Sequence, residues 1–228
     1  MSIPEISDYL KKHGYKRCYS WPVIWKILKN NGGDNLDITR WYCSVVYYDP
    51  DIDITFFTCT FGPDLMILSN NNVRAIMELE VPHEGSINRG LINDELKQLI
   101  CYAKQIAETS TAFINQEFYE VRLPSDSQVF IAVVFNNLRD ETYKAYIVTL
   151  NDELLRCTNY VKCALHNYGG AFNCEHQLLN KHVKELHENS FIKILAKLLN
   201  INEDNLLPIK DFITSLFIRH SYRFLHPS

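Results

Sequence analysis

The chain reads as an α/β domain in which a mixed β-sheet is flanked by helices, with an added helical C-terminal region. Three observations carry this. The runs WYCSVVYY (41–48) and DITFFTCTF (53–61) are rich in the aromatic and β-branched residues of strands. From Leu91 to Glu108 the apolar period becomes helical, with Ile92, Leu96, Leu99, Ala103 and Ile106 on one stripe. The run VFIAVVF (129–135) is apolar throughout, as expected for a strand covered on both faces. With 228 residues, 46% of them hydrophobic, the chain can bury one substantial core. No repeat, low-complexity tract or linker divides it. Residues 1–228 therefore read as a single domain, with 20–150 as the α/β core and 151–228 as a mainly helical extension.

Taken in order, residues 3–13 predict a short helix behind a Ser2 cap, with Ile6, Tyr9 and Leu10 on one side. A second helix runs from Trp21 to Lys29, where Trp21, Ile24, Trp25 and Leu28 share a face; Asn30, Asn31, Gly32 and Gly33 stop it. The first two strands are separated by an Asp-Pro-Asp turn, the pattern of an antiparallel hairpin. After Pro63, DLMIL and VRAIMELEV are two further strands joined at Asn70, Asn71 and Asn72. The helix over 91–108 follows, then a polar connection, the strand 129–135, a turn at NNLRDE, and the returning strand TYKAYIVTL (142–150). Helices are predicted over roughly 174–200 and, after Pro208, over 208–219.

Charge and cysteine content narrow the function classes. Lys and Arg number 23 against 27 Asp and Glu, a net charge of −4 with a pI near 6.1, so no basic face dominates. Lys11, Lys12, Lys16, Arg17, Lys26 and Lys29 outnumber Glu5 and Asp8 in the first thirty residues, which reads as a solvated amphipathic face. Seven cysteines at irregular spacing predict reduced thiols and an intracellular protein, cytoplasmic or nuclear. No apolar leader or membrane span is predicted. No phosphate-binding glycine loop is present, and none of the cysteines or histidines is paired by its local sequence as a nucleophile and base.

The carboxylates between 61 and 81 carry the chemistry. Side chains two apart on a strand share a face, so Glu78 and Glu80 project together with Ile76, opposite Ala75, Met77 and Leu79. If DLMIL pairs with VRAIMELEV, Asp64 approaches Glu78. Three such groups suit Mg²⁺ or Mn²⁺, hard cations that prefer carboxylate and water ligands. The competing reading is a turn residue at Asp64 and an edge strand wetted at Glu78 and Glu80.

Pro63-Asp64 followed by Glu78-Leu79-Glu80 resembles the signature of the PD-(D/E)XK nuclease superfamily. The order helix, three strands, helix, strand over residues 20–150 is similar to that superfamily's core. Gln98 and Tyr102 resemble the Gln-xxx-Tyr element of several of its branches, and the strand pair over 129–150 resembles one in nuclease-like domains of Crinkler-type effectors. The resemblance implies a restriction-endonuclease-like fold, Mg²⁺ or Mn²⁺ held by Asp64, Glu78 and Glu80, nucleic acid (DNA or RNA) as partner, and phosphodiester hydrolysis. Catalytic roles would fall to Asp64, Glu78, Glu80 and Gln98. The departure is Glu80, where the family usually has Lys; Lys97 is a cation on the next helix, but on the wheel it lies away from Tyr102. Some members of the superfamily with such losses are binding or scaffold domains, and that is the alternative here, with a homodimer or protein partner compatible with it. A more distant alternative is a zinc-stabilised interaction module on Cys163, His166, Cys174 and His176, whose spacing matches no common finger. Buried thiols and surface histidines compete with that module, and His182 and His187 read as surface residues.

Overall fold

The computed structural model describes residues 42–60, 62–81, 87–114, 117–125, 128–137, 142–164, 168–173, 176–210 and 217. The helices expected over 3–13 and 21–29 lie outside them. Strands β1 (Tyr42–Asp49) and β2 (Ile54–Thr60) form the antiparallel hairpin expected from their composition. Strands β3 (Leu65–Ser69) and β4 (Asn72–Glu80) form a second, tighter one. Its turn places Asn70 and Asn71 at φ of 47° and 61°, a left-handed geometry that asparagine tolerates better than other side chains with a Cβ.

Helix α1 (Arg89–Thr109) begins where the Asn88 side chain accepts from the Leu91 N–H, and ends at Ser110, whose φ is 52°. It supplies the crossover that a parallel strand pair needs, because β7 (Phe130–Asn137) lies parallel to β4. Strand β8 (Thr142–Thr149) then returns antiparallel to β7. Strands β5 (Thr111–Ile114) and β6 (Glu117–Glu120) extend the sheet beyond β1, and β9 (Val183–Glu188) extends it beyond β8. The described strands form one nine-stranded mixed sheet in the order β6-β5-β1-β2-β3-β4-β7-β8-β9.

Both faces of the central strands are covered. Met66, Leu68, Val73 and Ile76 pack with Leu96, Leu99 and Ala103 of α1, together with Val133 and Phe135. On the opposite face Leu65, Ile67, Met77, Leu79 and Val134 pack with Ile194, Leu195 and Leu198 of α6 (Phe191–Leu199). Successive β7 residues therefore all point into apolar surroundings, which is why VFIAVVF shows no alternation. The predicted α1 stripe is buried at every position from Ile92 to Ile106.

The C-terminal part differs from expectation. The single helix predicted over 174–200 is instead α5 (His176–His182), strand β9 and helix α6. Lys184, Glu185, His187 and Glu188 give β9 the charged character that keeps an open sheet edge from recruiting another strand, and this polarity resembled a helix surface. Short helices α2 (Asp152–Arg156), α3 (Tyr160–Ala164) and α4 (Tyr168–Ala171) lead up to it, and a 3₁₀ turn over Glu203–Ile209 contains Pro208. Most of the helix predicted over 208–219 lies outside the described residues.

The expectation of reduced thiols is also corrected. Cys101 of α1 is joined to Cys163 of α3 by a disulfide, and Cys59 and Cys157 are disulfide-bonded as well. The partners Cys101 and Cys163 stand 62 residues apart and meet only through packing of α3 on α1, so an odd cysteine count could not reveal the pair. Among the described residues, no helix is long and apolar enough to cross a membrane.

Candidate functional site

Register places the first two carboxylates. Leu65 pairs with Met77 across the β3–β4 hairpin, so one further step brings Asp64 opposite Glu78. The Leu79 N–H donates to Asp64 Oδ2 at 3.0 Å, pinning that carboxylate to the strand that carries Glu78. The two carboxyl groups lie within hydrogen-bonding reach of each other.

Glu78 is 6% exposed, on the sixth strand of nine. The wetted edge strand is thereby excluded for this residue. Its Oε1 accepts from Gln98 Nε2 at 3.0 Å, and the same nitrogen donates to the Tyr102 hydroxyl at 3.0 Å. Tyr102 in turn shares a hydrogen bond with Tyr168 of α4, the rings meeting edge to face at 6.0 Å. A polar chain thus runs from the sheet through α1 to α4. Gln98 and Tyr102 are four apart, which is what lets one helix face carry both.

The electrostatics are one-sided. Burial holds the Glu78 carboxyl well above the usual range, reinforced by Asp64 and Glu95, while the Gln98 amide opposes the shift. Burial also raises Glu80, to about 7, with Glu95 and Asp64 adding to it. Glu95 itself is raised by burial, then by Asp64 and Asp94. Burial and the nearby Glu78 carboxyl push the Tyr102 hydroxyl up; burial takes Tyr168 to about 12. The groups acting on Glu78 and Glu80 are acidic or neutral. Lys97 is buried but directs its Nζ to Asp94 Oδ1, 3.1 Å away.

Asp64, Glu78, Glu80 and Gln98 thus share one neighbourhood, and Glu95 joins it. Helical spacing could have identified Glu95, since 95, 98 and 102 lie on one face of α1. Nothing in the sequence around Tyr168 marks it. Clustered carboxyls without a neighbouring cation repel one another unless they take up protons or bind a metal. Among the described residues, no three His, Cys, Asp or Glu side chains stand together closely enough to hold a metal ion as they are. Mg²⁺ requires less: it retains several waters and is commonly bound through one or two carboxylates. The Asp64–Glu78 pair, all oxygen and backed by two further acids, fits that demand.

The zinc alternative loses a ligand, because the Cys163 sulfur is bonded to Cys101 and is no thiolate. His166, Cys174 and the side chain of His176 lie outside the described residues. His187 is exposed on β9 rather than on a helix and meets Glu185 at 2.8 Å. No protein-family model, curated protein or solved structure matches the chain.

Proposed function

We infer that the protein is a divalent-metal-dependent nuclease that hydrolyses phosphodiester bonds of nucleic acid. The observation that carries this is the Asp64–Glu78 pair: a carboxylate tied to the Leu79 N–H beside a buried carboxyl tied to Gln98, with Glu80 and Glu95 adjoining. Support for the restriction-endonuclease-like reading comes from β2, β3, β4, α1 and β7: three antiparallel strands are followed by a helix and, after the short β5–β6 pair, by a strand parallel to β4.

In this reading Asp64 and Glu78 would hold Mg²⁺ or Mn²⁺, which would neutralise charge on the phosphate and favour ionisation of the attacking water. The remaining work belongs to the chain. Gln98 orients Glu78 while Tyr102, itself bonded to Tyr168, holds Gln98, so the carboxylate is positioned before substrate arrives. Glu80, with an ionisation near neutrality, orients a water and takes its proton on a carboxylate oxygen as the water attacks phosphorus and the bond to the leaving oxygen breaks. That role would fall to Glu80 because Lys97 is paired with Asp94.

The test is cleavage of labelled single- and double-stranded DNA and RNA with Mg²⁺, Mn²⁺ or EDTA. The expected result is metal-dependent cutting lost in Asp64→Asn and Glu78→Gln. Wild-type protein that stays folded and cuts no substrate with either metal overturns the reading.

A further inference from the structure

Next to the carboxylates, the start of α1 and strands β8 and β9 border a groove of about 370 Å³. Ile87, Ile92 and Val183 supply apolar walls, and Tyr146 lines it from the sheet. Its polar lining includes Asn93, Asn180 and Arg89. Strand register fixes its position: Glu78 is opposite Val133, Val133 opposite Tyr146, and Tyr146 opposite Glu185. Tyr146 therefore lies two strand spacings, roughly 10 Å, from Glu78 on the same face of the sheet. Along α1, Ile92 precedes Glu95 by about one turn, roughly 4.5 Å of rise. Groove and carboxylates adjoin beneath a single helix.

We propose that this groove seats an unpaired nucleobase of the substrate strand while a neighbouring phosphate meets the carboxylates; this rests on the nuclease reading. The lining matches a base better than a phosphate. Each carboxamide offers a donor and an acceptor, the combination that base edges present. The carboxamides of Asn93 and Asn180 make no hydrogen bond among the described residues, so both can serve a ligand. Glu185 is already engaged by Lys144 and His187. Arg89 is exposed, makes no ion pair among the described residues, and can meet a phosphate on the sugar that carries that base. The volume lies at the small end of the range for small-molecule sites, suited to one base and its sugar. A chain of net charge −4 gains little from phosphate attraction alone, so base contacts supply what the backbone contacts do not. A base inside a duplex is stacked and paired, which makes single-stranded or locally opened nucleic acid the preferred substrate.

The experiment measures fluorescence anisotropy of the full chain in EDTA with short labelled single strands, comparing intact DNA with an abasic strand of equal length. Wild type is expected to bind the intact strand roughly 10-fold more tightly. The double variant Asn93→Ala, Asn180→Ala should lose that preference by weakening intact-strand binding about 5- to 20-fold, given about one hydrogen bond lost per side chain. Its affinity for the abasic strand and its melting temperature should not change. Equal wild-type affinity for the two strands, or a double variant that still discriminates, overturns the proposal. Cleavage assays separate the two readings. Metal-dependent cutting without base discrimination removes the groove proposal alone. Base discrimination without cutting supports the groove as a base site and removes the nuclease reading.

Discussion

Replacing Glu80 by Gln tests the electrostatics of the site without altering its shape. In the folded protein burial, Glu95 and Asp64 raise the Glu80 carboxyl from its ordinary 4.5 to about 7. An acid whose folded value is raised costs no stability below its unfolded value, because it is protonated in both states. The cost grows as pH rises and is complete above the folded value, where the charge must be carried in the fold. The window is therefore about pH 4.5 to 7. At about 1.4 kcal/mol per unit the full shift would approach ~3.4 kcal/mol. Glu80 keeps partial access to water, and solvent screening reduces this to roughly 1–2 kcal/mol. Urea denaturation in EDTA should show wild type losing stability between pH 5 and 8, and Glu80→Gln losing about 1–2 kcal/mol less. For a chain of this length that corresponds to roughly 2–8 °C in Tm at pH 8. Parallel pH profiles for the two proteins would refute the reasoning.

Other outcomes follow from the same geometry. Gln98→Ala removes hydrogen bonds to Glu78 and Tyr102 and should cost about 1–3 kcal/mol in urea unfolding, since Glu78 is left buried with less support. Glu78→Gln should abolish metal-dependent cleavage yet unfold at a higher temperature than wild type in EDTA at pH 8, because the removed charge is one that burial opposes. Cys163→Ser, or reduction of the wild type, should lower stability by about 2–4 kcal/mol through loss of the link to Cys101, with thermal melts as the readout.

The sequence disclosed the centre of the fold better than its margins, for physical reasons. Strands β1 to β4, β7 and β8 carry their own composition, and the α1 stripe has a clean helical period, so local chemistry and tertiary packing agree there. β5 and β6 are only four residues each and were hidden in what looked like a polar connection. β9 is an edge strand whose charges suit either a helix surface or an open edge. At the site, period two along β4 puts Glu78 and Glu80 on one face, and the hairpin register brings Asp64 opposite Glu78. Glu95 shares a helix face with Gln98 and Tyr102, but that spacing singles it out only once there is a site for the face to meet. Tyr168 could not be placed from sequence, because it reaches Tyr102 only through the packing of α4 on α1. The Cys101–Cys163 bond depends on the same packing, and it removes the thiolate that a zinc reading needs.

Mn²⁺ titration followed by electron paramagnetic resonance addresses the carboxylate pair most directly, since it reads bound cation without requiring the correct nucleic acid. Wild-type protein should take up Mn²⁺ saturably, Mg²⁺ should displace it, and Asp64→Asn should weaken binding at least 10-fold while the fold is retained. Absence of saturable binding by folded wild type, or equal binding by Asp64→Asn, would contradict a metal site built on Asp64 and Glu78.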